Sequence, residues 1–233
     1  MSVSSDVAVE LVDLTSSTVR ELNSRLHALT REEGPRQWRV VKPGGKHSIA
    51  AGLDAPVEVT VDGHVGYYCA GMNQHATVRI RGNCGVGVAE NIMSGTVVVE
   101  GNASQSAAAT GHGGLVVVEG DASARCGISM KGVDIVVHGS VGHMSAFMAQ
   151  KGCLVVCGDA GDALGDSIYE ARLYVRGDVG ELGSDCIEKE MRDEHHAQLR
   201  DLLERGGVAD ADPSKFRRFG SARQLYNFKV DHA

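Results

Sequence analysis

Along residues 57–177 the apolar positions arrive in short bursts, and each burst closes on a glycine. The closing glycines are Gly63, Gly82, Gly101, Gly120, Gly139, Gly158 and Gly177, spaced by 19 residues without one slip. Two places before each stand Val61, Ile80, Val99, Val118, Val137, Val156 and Val175; four places before stand Val59, Val78, Val97, Val116, Ile135, Leu154 and Leu173. Both columns are wholly aliphatic and two residues apart, which predicts one short strand per repeat with a constant inward face. Directly after the anchors come His64, Asn83, Asn102, Asp121, Ser140, Asp159 and Asp178, residue types suited to tight turns or the left-handed region. Three and seven places after the anchors only Gly, Ala or Ser occurs.

Helix-pair repeats run to about 33–47 residues and disfavour internal glycine, so a helical array does not fit. A 19-residue unit with one strand, a glycine corner and small-residue columns has the size of one coil of a β-solenoid. Coils stacked ~4.8 Å apart pair each strand with its equivalents above and below, and seven of them predict a rod about 30 Å long. The expected fold is all-β, a single-stranded parallel β-helix of about seven coils. Gly44 lies 19 residues before Gly63, but Lys42 and Val40 then fill the strand columns, so this stretch reads as a half-conserved capping coil.

The ends follow another rhythm. Residues 13–30 predict a lead-in and a helix, with capping-box spacing from Thr18 to Glu21 and a stripe of Val19, Leu22, Leu26 and Leu29. Residues 31–45, with Pro35, Pro43 and Gly44–Gly45, predict a connection. After Gly183, Ile187, Met191, His195, Leu199, Leu202 and Leu203 fall at helical spacing up to Gly206–Gly207, a helix expected to cap the last coil. Residues 213–233 show no further element. They hold Phe216, Phe219, Tyr226 and Phe228 beside five Lys or Arg residues, a composition that suits folding back along the rod or anchoring another subunit.

Composition narrows the functional classes. Glycine, 30 of 233 residues, is almost twice its usual share of ~7%, while aromatics are only 4%, so the core must be built from small aliphatics. A net charge of −7 gives no electrostatic reason to expect nucleic acid or an anionic membrane surface. No apolar run reaches the ~18 residues of a membrane span, and the first residues lack the pattern of a secretory signal, so a cytoplasmic protein is expected.

Reactive constellations are not evident. Cys69, Cys84, Cys126, Cys153, Cys157 and Cys186 contain no C-x-x-C pair and read as free thiols packed as small hydrophobes. His112, His138, His143 and the pair His195–His196 lack a companion nucleophile or carboxylate at a telling distance. Gly82-Asn-Cys-Gly85-Val-Gly87 continues to Glu90 where a phosphate loop needs glycine. Asp121, Asp159 and Asp178 do not sit in the nine-residue repeat of calcium-binding β-rolls. A solenoid acyltransferase would need a six-residue apolar period inside each coil, and that period is missing.

The units Val59-Thr-Val-Asp-Gly63-His-Val-Gly66, Val97-Val-Val-Glu-Gly101-Asn-Ala-Ser104, Val116-Val-Val-Glu-Gly120-Asp-Ala-Ser123 and Leu154-Val-Val-Cys-Gly158-Asp-Ala-Gly161 resemble the GXGXG domain, the right-handed β-helix at the C-terminus of the glutamate synthase large chain. The stretch Gly45–Leu53 followed by Pro56–Val61 resembles that domain's first coil. The resemblance implies a lead-in over 1–37, a GXGXG β-helix over 38–185, and a helix with an aromatic-rich tail over 186–233. It further implies a non-catalytic subunit with no catalytic, cofactor-binding or metal residue of its own, most similar to the β-helix subunit of N-methylglutamate synthase. The implied partners are a glutamine amidotransferase-like subunit and a synthase subunit that holds FMN and an iron–sulfur cluster. The β-helix subunit of formylmethanofuran dehydrogenase and of formyltransferase/hydrolase complexes shares this fold and is the rival assignment. The Asn-Asp-Tyr-Val-Gly stretch of glutamate synthase is replaced here by Asn83-Cys-Gly-Val-Gly87 and Asp121-Ala-Ser-Ala-Arg125, so its contacts do not transfer.

Overall fold

The computed structural model describes residues 9–32 and 36–223. Eleven strands form one sheet: β1 (Val9–Asp13), β2 (Gln37–Val41), β3 (Glu58–Asp62), β4 (Thr77–Ile80), β5 (Thr96–Val99), β6 (Leu115–Val118), β7 (Lys131–Val137), β8 (Lys151–Val156), β9 (Arg172–Val175), β10 (Cys186–Lys189) and β11 (Arg217–Ser221). Strands β1 to β9 are laid down in chain order, all parallel, as a β-solenoid requires. From β3 to β9 the strands pair with the residue 19 positions on, apart from the start of β7, where a register shift sets Lys131 opposite Lys151, and Val59, Val78, Val97, Val116, Ile135, Leu154 and Leu173 form one buried line. A second, one-residue ladder follows the corner: Val65, Cys84, Ala103, Ala122, Val141, Ala160 and Val179 bridge in sequence.

The first coil corrects one expectation. Val40 pairs with Val61 and Trp38 with Val59, an offset of 21 residues rather than the 19 that aligned Gly44 with Gly63. With that register the inward columns are apolar here too, because Trp38 and Val40 are buried. Strand β1, which the repeat pattern does not announce, adds one more level, so the sheet begins upstream of residue 38 and continues beyond 185.

Glycine at the anchors answers to close stacking rather than to dihedral angle. Among the seven only Gly63 has a positive φ, but a Cβ on Gly101, Gly120, Gly139 or Gly177 would lie within 2.3 Å of the polar side chain one coil below. The left-handed positions lie elsewhere, five, seven and nine residues after the anchor. Tyr68, Ala70 and Met72 in one coil, and Ser106, Ala108 and Thr110 two coils on, have φ between 53° and 61°. This zigzag sends the N–H groups of Tyr68 and Met72 forward to Val86 and Glu90, and that of Ala70 back to Ile49, at 2.8–2.9 Å. Inter-coil hydrogen bonds thus offset a conformation that costs an L-residue roughly 1–2 kcal/mol. Ala70, Ala89, Ala108 and Ala146 also face the interior and are fully buried, which is why their column stays small.

The two mouths of the rod are closed differently. Helix α1 (Val19–His27) starts at the expected capping box, with Thr18 and Glu21 bonded reciprocally. It seats Leu22 and Leu26 in the core, and Asn23 bonds Ser48 O and Ala50 N–H in the first coil. At the other end the cap is a pair of antiparallel strands joined through an intervening helix: β11 pairs antiparallel with β9, and β10 lies outside β11. The expectations for this region are corrected in three respects. Helix α2 (Asp193–Arg205) begins six residues after Ile187, which belongs to β10 and is exposed. α2 covers a flank of the rod instead of its end. The tail does form structure, a 3-10 turn Pro213–Lys215 and β11.

That flank explains the placement. The outward column reads Thr60, Arg79, Val98, Val117, Val136, Val155 and Tyr174, polar at first and apolar from β5 onward. Val98, Val117, Val136, Val155 and Tyr174 form a second core with Leu199, Leu202 and Leu203 of α2 and with Phe216. Over β2–β4, where no helix lies, the same face carries the exposed pairs Arg39–Asp62, Arg79–Glu100 and Arg81–Asp62.

Candidate functional site

The residues that follow the anchors form a polar ladder. The N–H of Asn83 donates to His64 Nδ1, that of Asn102 to Asn83 Oδ1, that of Asp121 to Asn102 Oδ1, and that of Ser140 to Asp121 Oδ1. Asp159 and Asp178 continue it through Ser140 Oγ and Asp159 Oδ1, every distance falling between 2.8 and 2.9 Å. None of these residues is left-handed, which corrects the turn reading: from His64 to Asp159 each supplies an acceptor to the next coil. The polar column thus ties each coil to the next.

The six cysteines are all buried free thiols. Burial pushes the thiols of Cys84, Cys126 and Cys153 up to about 12 and that of Cys186 up to about 11. A thiol so raised is a poor nucleophile. The histidines are scattered as the sequence implied. His138 Nε2 bonds the carbonyl of Gly206 at 2.7 Å, and buried His195 accepts at Nδ1 from the N–H of Arg192. Among the described residues no group of three or more His, Cys, Asp or Glu side chains is placed to hold a metal ion, and no helix is long and apolar enough to cross a membrane.

The four aromatic anchors divide. Phe216 and Phe219 are buried within the chain, one in the outer core and one in the main core, which corrects their assignment to a partner interface. A ring enclosed by its own fold has no face left for another subunit. Tyr226 and Phe228 lie outside the described residues.

The candidate site is a cleft that the sequence patterns did not single out. It is an open, polar hollow of about 590 Å³ bounded by the β7–β9 corners, by Gln198 of α2 and by the β10–β11 strand pair. Lys151, Arg172, Lys189, Arg218 and Arg223 line it, against the acids Asp134 and Glu170. Asp134 already pairs with Arg205 of α2, and burial raises its carboxyl pKa. Gln198 Oε1 accepts at 2.8 Å from both Arg172 and the Tyr174 hydroxyl, which fixes the guanidinium in the wall. Arg218 is held by the Glu190 carbonyl. Its pKa is lowered by burial and by its cationic neighbours Arg172 and Arg192, although Tyr174 and Glu194 oppose them.

A second hollow of about 570 Å³ adjoins the first and shares Lys151, Tyr169 and Glu170 with it. Lys131 and Lys151 are register partners on adjacent strands, so two ammonium groups start from neighbouring coils. Neither forms an ion pair among the described residues. The signal available in the sequence was one basic residue per coil (Lys131, Lys151, Arg172, Lys189), a looser spacing than the 19-residue period.

No family model matches the chain. Protein GlxC of Rhizobium meliloti (strain 1021) is similar to it, 59% identical over 223 residues that cover 96% of this chain and 98% of that protein.

Proposed function

The chain belongs to the family of protein GlxC, and from that premise we propose that it is the structural β-helix subunit of a glutamate-synthase-like enzyme. In its finer form the proposal is an N-methylglutamate synthase subunit. It would bridge a glutamine amidotransferase-like subunit and a synthase subunit that holds FMN and an iron–sulfur cluster. The observation that carries the reading is the unbroken ladder from β3 to β9, in which every repeat column serves stacking or core packing. The similarity of those same units to the GXGXG domain supports the choice of enzyme class.

The physical contribution is distance and rigidity. Eleven strands at ~4.8 Å spacing give a scaffold about 48 Å long. Each coil is held to the next by strand, bridge and side-chain ladders at once, so the rod resists bending. Two active sites mounted on it keep a fixed separation, and an amine released by one reaches the other at a high effective concentration.

Co-expression with the neighbouring reading frames, followed by purification through a tag on this chain, tests the proposal. The expected complex contains an amidotransferase-like chain and a yellow-brown flavoprotein with iron, and the single chain turns over neither glutamine nor 2-oxoglutarate. Turnover by the single chain would overturn the structural role. An amidohydrolase as the co-purifying partner would replace amine chemistry with formyl chemistry.

A further inference from the structure

We infer that the basic cleft beside α2 is a docking site for an acidic peptide segment of a partner subunit, one that places an apolar side chain next to its carboxylates. The inference deepens the bridging role and rests on it.

Three observations converge. The first is uncompensated charge in a chain that is acidic overall, with a net charge of −7. Lys131 and Lys151 are register partners that form no ion pair among the described residues, Lys189 lines the first hollow with Lys151, and the acid shared by both hollows is Glu170 alone. An arrangement of like charges directly opposite one another costs stability unless an anion from outside completes it.

The second is shape. Two adjoining hollows of about 590 and 570 Å³ share Lys151, Tyr169 and Glu170 and are open to solvent, together far larger than one inorganic anion needs. The third is the shelf between the cations. Tyr169 and Met148 are 46% and 45% exposed and sit in the second hollow, giving an apolar side chain a place beside the lysines. Aromatics, Met and Arg are the residue types enriched at protein interfaces. The side chains of the chain's own residues 224–233 include one Lys and one Asp and so carry no net charge to neutralise the groove.

Two arginines of the groove are held in place before binding. Arg172 is pinned by Gln198, and Arg218 by the Glu190 carbonyl. The ordering cost left to oppose association is that of the lysine side chains.

The test is a fluorescence-anisotropy titration of the full chain with a synthetic peptide of alternating glutamate and leucine, and with its counterpart in which glutamine replaces every glutamate. The glutamate peptide is expected to bind at least about tenfold more tightly and to weaken as salt rises. The double variant Lys151→Glu/Lys189→Glu should lose about tenfold in affinity. Its thermal midpoint should not fall, because neither ammonium makes an ion pair among the described residues and Lys151→Glu removes the repulsion with Lys131. Equal binding of the two peptides, or undiminished binding by the double variant, would overturn the inference. Tighter binding of inorganic pyrophosphate, displacing the peptide, would overturn it in favour of a small-anion site. A complex that assembles normally around the double variant would defeat the docking site and leave the bridging role intact. Peptide binding by a chain that captures neither expected partner on co-expression would defeat the bridging role alone.

Discussion

The backbone N–H of Asp121 donates to Oδ1 of Asn102 at 2.9 Å, across the gap between two stacked coils. The same bond recurs from His64 to Asp178, with imidazole, amide, carboxylate and hydroxyl acceptors in turn. What the position demands is an acceptor at the right height, whatever its chemistry. Asn102→Asp should therefore be nearly neutral. Asn102→Leu strands the Asp121 N–H and should cost about 1 kcal/mol, modest because the site is exposed and water can compete. Urea unfolding of the two variants checks the contrast.

The anchors predict a sharper difference between two glycines. A Cβ on Gly120 would lie 2.2 Å from Asn102 Oδ1 and 2.8 Å from the Gly101 carbonyl, in the tightest part of the stack. On Gly220 the nearest atom would be 3.7 Å away, with no positive φ to oppose it. Gly120→Ala should lower stability by more than about 2 kcal/mol, and Gly220→Ala should leave it within about 0.5 kcal/mol. Thermal midpoints measured side by side decide it.

Those two glycines also show how much the sequence reveals. Gly120 belongs to a period, and a period is legible because stacking forces the same contact at every level. The inward strand columns and the small columns were visible for the same reason. The outward column was equally periodic, yet its change from Arg79 to Val98 carries the information that a helix covers the later coils. That inference needs the partner surface, Leu199 and Leu202, which lies far along the chain. The terminal strand pair was hidden because Ile187 happens to fall in phase with the helical stripe that follows it. The basic cleft was hidden because its residues come from six separate segments in no fixed period.

The thiols give a chemical prediction. All six cysteines are buried, and burial raises the pKa of each thiol, with Cys69 and Cys157 shifted in the same direction as the other four. Thiolate is scarce at pH 8 and access is closed, so Ellman's reagent should find almost no reactive thiol in the native protein. The same assay in guanidinium should count six. A fast-reacting thiol in the native state would contradict the packing of the coils.

His195 predicts a pH dependence. Burial, and then the nearby Arg218, hold its imidazole pKa below the ordinary 6.5; Glu194 opposes them, and Arg172 and Arg192 add to the depression. The unfolded chain binds a proton there before the folded chain does, so stability rises with pH across that interval. The contribution is complete above pH 6.5 and declines as pH falls through the depressed folded-state value. His195→Asn keeps a polar acceptor near the Arg192 N–H but does not titrate. Its stability should fall less steeply than that of the native chain below pH 6.5, a difference that urea titrations at several pH values would reveal.

Helix α2 should come off the rod as a separate event from the melting of the coils. Its grip on the flank consists of Leu199, Leu202 and Leu203 against the outward valines, of Gln198 on Tyr174 and Arg172, and of Arg205 on Asp134. None of these contacts is shared with the interior line of Val97, Val116 and Ile135, which packs in the main core. Leu202→Ala removes buried methyls at the centre of that grip and should weaken docking by about 2–5 kcal/mol. Tyr174→Phe removes only the hydroxyl, leaves Gln198 its bond to Arg172, and should cost about 0.5–1.5 kcal/mol. In both variants amide hydrogen exchange should accelerate over Asp193–Arg205 while the amides of β3 to β7 stay protected. Uniform acceleration along the whole rod would mean that flank and coils unfold as one unit. The cleft wall formed by Gln198 would then be no less stable than the core beneath it.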